Sequence, residues 1–142
     1  MNNSTVKEKV CVYCGEKDNL TADHVPPKAL FAKPRPQLIT VPACKDCNEN
    51  AKLDDDYFQI MLALRGDLSN NNEVKKISRK VVSSINHVKK SGFKNRLMSK
   101  VQMVQAYSKG GIYLGRQPSL EVDMNRMTKV TARCVTGLYF HH

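Results

Sequence analysis

The chain has 142 residues, of which 25% are charged and 41% hydrophobic, and its formal net charge at pH 7 is +10. This length suits about one domain with one hydrophobic core, and no apolar run is long enough to cross a bilayer. The first residues also lack the apolar stretch of a secretory signal, so these features argue against a membrane or secreted protein and predict a soluble, cytoplasmic one.

Two cysteine pairs of the form CxxC dominate the first third of the chain. They are Cys11 with Cys14 and Cys44 with Cys47. A two-residue spacer lets a tight turn aim both sulfurs at one ion, and four thiolates suit tetrahedral zinc at ~2.3 Å. Because four thiolates close the coordination sphere, the pairs predict a structural zinc and not a catalytic one. The fifth cysteine, Cys134, is expected to be a small buried apolar residue.

The elements around the cysteines read as strand, strand and helix. A short strand is predicted over residues 20–24, and Pro26 and Pro27 then end it and could open a short helix. A β-prone run at residues 38–41 enters the second cysteine pair. A helix is expected from residue 47 to about 64, with Asn48 in its first turn.

The second half begins after the asparagine run at residues 70–72. Apolar residues recur every three or four positions over 74–88, which predicts an amphipathic helix capped by Asn71 or Asn72 and ended by Gly92. Alternation over 101–114 around two glycines predicts a β-hairpin. A last helix is expected to begin after Asp123. The predicted fold class is therefore α+β, with residues 1–65 as one unit and 66–142 as its elaboration, together forming one compact domain.

The excess positive charge belongs to this second half. Residues 1–65 hold nine basic and nine acidic side chains, whereas residues 66–142 hold fourteen basic and four acidic ones. Such a basic stretch predicts binding of a polyanion such as nucleic acid, mainly through its phosphates. The alternative is a helix face that lysines merely keep solvated. The predicted nucleic-acid-binding residues are Lys75, Lys76, Arg79, Lys80, Lys89 and Lys90.

Between the two cysteine pairs lies the dipeptide Asp23-His24, and Asn48 follows the second pair directly. A carboxylate is a hard ligand suited to Mg²⁺. An imidazole ordinarily has a pKa close to neutral pH, so it can take a proton from water. Neighbouring residues on a strand point to opposite sides, so Asp23 could face a metal while His24 faces an attacking water. Each feature alone is common in proteins, and only their combination indicates a catalytic site.

This combination resembles the HNH, or ββα-metal, nuclease family in its four-cysteine, zinc-bound form, over roughly residues 8–65. It is also similar to phage recombination endonucleases that resolve branched DNA, in which an asparagine directly follows the last zinc cysteine. The resemblance implies a zinc-knuckle-stabilised ββα-metal core, with Asp23 and Asn48 binding a catalytic Mg²⁺ or Mn²⁺ and His24 as general base. The family usually has a middle asparagine that pins the intervening loop, but residues 25–43 contain none. Gln37 or Thr40 could replace it.

The leading hypothesis is a metal-dependent DNA endonuclease that hydrolyses phosphodiester bonds. Two alternatives use the same residues. One is a zinc-stabilised nucleic-acid-binding protein without catalysis, and the other is an effector that cleaves RNA. The sequence leaves open the third ligand of the catalytic metal, the preferred substrate and the oligomeric state.

Overall fold

The computed structural model describes residues 9–65, 70–86 and 91–142. Within these ranges the fold is mixed α+β, with two small antiparallel sheets and four α-helices. The elements in chain order are β1 (Leu20–Val25), a short 3-10 helix (Lys28–Leu30), β2 (Ile39–Cys44), α1 (Lys45–Ala63), α2 (Asn72–Ile85), α3 (Ser91–Met98), β3 (Val101–Tyr107), β4 (Tyr113–Leu120) and α4 (Met124–His141).

Strands β1 and β2 and helix α1 form the first part of the fold. β1 pairs antiparallel with β2, so that Leu20 lies opposite Cys44 and Asp23 opposite Val41. β2 runs directly into α1, because Cys44 has extended backbone angles and caps the helix by accepting a hydrogen bond from the Cys47 amide at 3.4 Å. This cap explains why α1 begins at residue 45 and not at the predicted residue 47.

The larger hydrophobic core lies at the C-terminal end of α1. Tyr57, Ile60 and Met61 pack against Val81 of α2, and partly buried side chains of α3, β4 and α4 complete the cluster. The hydroxyl of Tyr57 also accepts a hydrogen bond from the Asp123 amide at 2.8 Å, which ties the start of α4 to α1. The basic second half is thus attached to the first unit through a shared core.

The second half differs from the predicted elements at one helix and one strand. α2 is capped by the Asn71 side chain and α4 by that of Asp123, as predicted, and β3 and β4 form the expected hairpin. However, Gly92 lies within α3, an additional helix that was not predicted because a serine and a glycine at its start indicate a break in the chain. The strand β4 also extends further than predicted, to Leu120.

Helix α4 packs across α1, β1 and β2 and brings the end of the chain onto the first unit. Its Gly137 is buried against Val25, where an added Cβ atom would lie only 2.6 Å from a Val25 methyl carbon. A glycine is therefore required for this close approach. Among the described residues, no helix combines the length and apolarity needed to span a membrane.

Candidate functional site

The four cysteines of the two CxxC pairs come together at one point. Their Sγ atoms all lie within 4.8 Å of one another, and those of Cys14 and Cys44 are 3.7 Å apart. A tetrahedron with metal–sulfur bonds of ~2.3 Å has sulfurs about 3.8 Å apart, so the cluster has the dimensions of a zinc site. The four residues could form a metal site consistent with structural zinc, as predicted.

Local backbone structure explains how the first pair is aimed. The Gly15 amide donates to the Cys11 carbonyl at 2.8 Å, and the Cys11 amide donates to the Glu16 carbonyl at 2.7 Å. Gly15 has a φ of 81°, a left-handed angle that glycine adopts without strain. The turn folds Cys14 back beside Cys11, while the cap of α1 presents Cys44 and Cys47 from the opposite side.

The thiols of the cluster differ in their acidity. Burial disfavours the thiolate of Cys11, but hydrogen bonds from the backbone of Cys44, Tyr13 and Cys14 outweigh this and lower the pKa of Cys11 to about 6. Burial and hydrogen bonds with the neighbouring thiols raise the pKa of Cys47. Coordination of zinc by all four thiols would abolish this difference, because a thiol that coordinates zinc is deprotonated outright.

Asp23 lies in a buried network that connects β1 to α1 and α4. Its Oδ2 atom accepts a hydrogen bond from Nη2 of Arg133 at 2.6 Å and another from the hydroxyl of Tyr13 at 2.7 Å. Nη1 of Arg133 also donates to Oδ1 of Asp55 at 3.0 Å. The side chains of Arg133, Asp23 and Asp55 are only 16%, 8% and 15% exposed, so both ion pairs are largely removed from water.

The charges in this network influence one another. Burial raises the pKa of Tyr13, and its hydrogen bond to Asp23 raises that pKa further. Burial opposes the charge on Arg133, yet the hydrogen bond and the charge of Asp23 keep the pKa of Arg133 above its ordinary value. Burial also raises the pKa of Asp55, against the opposing effect of Arg133. The network therefore depends on Arg133 to hold two carboxylates in a buried place.

Asn48 lies on the same side of β1 as Asp23. Its Nδ2 atom donates to Oγ1 of Thr21 at 3.0 Å, and Thr21 in turn donates to the Ala43 carbonyl at 3.0 Å. Thr21 and Asp23 are two residues apart on a strand, so their side chains project from one face. The amide nitrogen is thereby engaged, and the Asn48 oxygen is the atom left to act as a ligand.

The donor atoms on this face suit a hard cation. Among the described residues, the hydrogen bonds to the Asp23 side chain all fall on Oδ2, and the residue is 6% exposed. A carboxylate oxygen and an amide oxygen are the kind of ligands that Mg²⁺ takes, with waters completing its octahedron. His24 is the next residue on β1 and belongs to the opposite face, where it is half-buried.

A side chain of α1 helps to hold the loop between β1 and β2. The side-chain amide of Gln59, which is buried, donates to the Ala29 carbonyl. Gln37 and Thr40, the expected substitutes for a middle asparagine, are both exposed. Sequence reasoning missed Gln59 because the residue belongs to a different element, thirty positions along the chain.

Arg133 was also missed, although the sequence contains a signal for it. Val130 and Gly137 are buried on α4, and Arg133 lies between them at helical spacing, so an arginine interrupts an apolar stripe. A buried arginine requires an acidic partner. The sequence alone could not say that the partners are Asp23 and Asp55, which lie on distant elements.

The predicted nucleic-acid-binding residues of α2 are surface side chains. Lys75, Lys76, Arg79 and Lys80 are all exposed, but Lys76 forms an ion pair with Glu73 at 2.7 Å. Lys89 and Lys90 lie outside the described residues. The described part of α2 thus presents a mainly basic surface.

Comparison of this chain with protein-family models, with curated proteins and with solved structures finds no match.

Proposed function

We propose that this protein is a metal-dependent endonuclease that hydrolyses phosphodiester bonds of DNA. The observation that supports the proposal is the hydrogen bond from the Asn48 side chain to Thr21, a residue two positions before Asp23 on β1. His24 is adjacent on the other face. A pair of hard ligands for one cation and an imidazole that can act as a base supply the chemistry of a single-metal phosphodiesterase.

In the proposed reaction His24 takes a proton from a water molecule as that water attacks the phosphorus. Asp23 and Asn48 would hold the divalent cation, Mg²⁺ or Mn²⁺, which supplies charge stabilisation for the phosphate and the departing 3′ oxygen. Arg133 and Tyr13 orient Asp23 by binding its Oδ2 atom, so that Oδ1 keeps one direction. The cysteine cluster, with zinc as its structural cofactor, contributes position and no chemistry.

The basic surface of α2 is proposed to hold DNA through its phosphates. Lys75, Arg79 and Lys80 are exposed and form no ion pair with a described carboxylate. Contacts of this kind carry no base information, so binding would be largely independent of sequence and would weaken steeply with added salt.

One observation favours a second candidate, a zinc-stabilised nucleic-acid-binding protein without catalysis. Arg133 neutralises Asp23 at 2.6 Å, and a purely structural aspartate that anchors α4 would have the same contact. This candidate predicts DNA retention with every divalent metal and no cleavage.

Plasmid nicking separates the two candidates. Zinc-loaded protein is incubated with supercoiled plasmid, with and without Mg²⁺ or Mn²⁺, so that the catalytic metal is varied without a chelator that would strip zinc. We expect nicking only with the added metal, and a loss of about 10²-fold or more in His24→Ala. The matched control is His141→Ala, because His141 is exposed at the end of α4.

Two results would count against the proposal. If His24→Ala cleaved DNA at the rate of the unaltered protein, His24 could not be the general base. If the protein retained DNA but nicked it with none of the added metals, the second candidate would be favoured. Presenting RNA of the same sequence beside the DNA identifies an RNA-cleaving enzyme in the same experiment.

A further inference from the structure

A cleft of about 770 Å³ lies between the loop after β1, helices α1, α2 and α3, and the start of α4. Its lining includes neither the cysteines nor Asp23, His24 and Asn48. The cationic side chains around it come from different elements, and one carboxylate, Asp56, accompanies them. The cations are Lys28, Arg35, Lys80, Arg96 and Arg126.

Most of these cations lack an acidic partner. Lys28, Arg35, Lys80 and Arg96 form no ion pair with any carboxylate in the described parts of the chain. The Arg35 Nε atom instead donates to the Lys28 carbonyl at 3.1 Å, which holds the arginine at the edge of the loop. Several uncompensated cations around one concave surface create a positive potential that an anionic ligand would lower.

Arg126 plays a different part, because its guanidinium is fixed in place. Nε donates to Asp54 at 2.6 Å, Nη2 donates to the Leu53 carbonyl at 2.6 Å, and the guanidinium carbon lies 4.3 Å from the centre of the Tyr57 ring. Tyr57 covers one side of this flat group. Arginine planes and aromatic rings are the surfaces on which unpaired bases stack.

The rest of the lining is apolar. Ile60 and Val81 are buried beneath the cleft, while Leu53 lies on its edge with 74% of its surface exposed. A cleft that combines cations, a fixed planar group and an apolar floor is chemically matched to a ligand with a phosphate and a flat heterocycle. Its volume falls in the usual range of about 300–1,000 Å³ for small-molecule sites.

We propose that this cleft binds an unpaired nucleotide, with the phosphate on Lys28, Arg35, Lys80 and Arg96 and the base against Arg126 and the apolar floor. The ligand could be a residue of a single-stranded nucleic acid or a free nucleoside monophosphate, since the recognised groups are the same. The inference goes beyond the proposed cleavage and does not require it, because the cleft residues take no part in the proposed hydrolysis and only Lys80 is shared with the basic surface of α2.

The test uses fluorescein-labelled tetrathymidylate and measures its binding by fluorescence anisotropy. The double variant Lys28→Gln with Arg96→Gln removes two cations of the cleft that do not belong to the basic surface of α2. The matched control, Lys94→Gln with Lys100→Gln, removes two exposed cations that lie outside the cleft and outside the basic surface of α2. We expect the cleft variant to bind at least tenfold more weakly and the control to bind within about twofold of the unaltered protein.

A second probe separates base recognition from general attraction of a polyanion. An abasic tetramer carries the same phosphates without the bases, and we expect it to bind about tenfold more weakly. Competition by thymidine monophosphate then identifies the source: displacement at a similar affinity indicates a free nucleotide, and displacement only by the tetramer indicates a strand.

Equal losses in the cleft and control variants would overturn the proposal, and so would equal binding of the abasic and normal tetramers. Thermal unfolding of each variant verifies that the exposed substitutions leave the fold intact. The assay contains no divalent metal, so its outcome is independent of whether the protein cleaves DNA.

Discussion

The strongest stability prediction concerns Arg133→Met, which removes the guanidinium but keeps much of the apolar stem. Asp23 and Asp55 would then be buried without their cation. Because the contacts of 2.6 and 3.0 Å start from two nitrogens of one planar guanidinium, the two carboxylate oxygens lie at most about 8 Å apart. At an effective dielectric constant of about 20, their repulsion alone is therefore at least about 2 kcal/mol.

Loss of the ion pairs adds to this repulsion. Removing one partner from a buried pair typically costs about 3–5 kcal/mol, and the three side chains here are at least 84% buried. We therefore expect Arg133→Met to lower the free energy of unfolding by about 3–5 kcal/mol, which is a large share of the stability of an ordinary domain. Lys129→Met, at an exposed position one turn earlier on α4, should change it by less than about 0.5 kcal/mol.

The loss should also depend on pH in a defined direction. Burial already raises the pKa of Asp55 although Arg133 opposes it, and removal of Arg133 should raise this pKa further. A carboxylate with a raised pKa binds its proton more tightly in the folded state, so stability falls as pH rises through that pKa. The deficit of Arg133→Met relative to the unaltered protein should therefore be larger at about pH 8 than at about pH 5.5.

Urea unfolding of the zinc-loaded proteins, followed by circular dichroism at both pH values, measures this deficit. The unaltered protein at each pH serves as the reference, so effects of acid on the cysteines cancel in the difference. A deficit below about 1 kcal/mol that does not change with pH would refute the buried network.

Three further predictions concern the zinc site, the α4 contact and a helix cap. Cys44→Ser should lose zinc and unfold, whereas Cys134→Ser should retain about one zinc per chain by atomic absorption. Gly137→Ala should lower the unfolding free energy by about 1–3 kcal/mol in a denaturant titration, because its Cβ would meet the stiff, buried Val25 at 2.6 Å. Asn71→Ala should lower it by about 1 kcal/mol without altering zinc content, because the side chain caps two amides of α2.

The sequence predicted the features that depend on short-range patterns. The CxxC spacing predicted the cysteine cluster. The asparagine and aspartate caps correctly predicted the starts of α2 and α4. These succeeded because a turn, a cap or an apolar period is determined by residues only a few positions apart. The helix α3 was not predicted, because its apolar pattern is weak and the glycine near its start indicates a break in the chain.

The long-range partners could not be predicted in the same way. Arg133 reaches Asp23 over 110 positions, and Gln59 reaches the Ala29 carbonyl over 30. Even where a helix contains a signal, such as Arg133 within the apolar stripe of α4, the partner is determined only when α4 or α1 packs against the β1 side. The cleft lined by cations of four different elements has the same origin.

The most direct test of the proposed function is chemical rescue of His24→Ala. If His24 is the general base, the variant should nick supercoiled plasmid at least about 10²-fold more slowly in Mg²⁺, and added imidazole should restore part of that rate in proportion to its neutral form. Imidazole should leave the rate of the unaltered protein unchanged. A variant that nicks at the full rate without imidazole would contradict this role, as would an unaltered protein that nicks no DNA with Mg²⁺ or Mn²⁺.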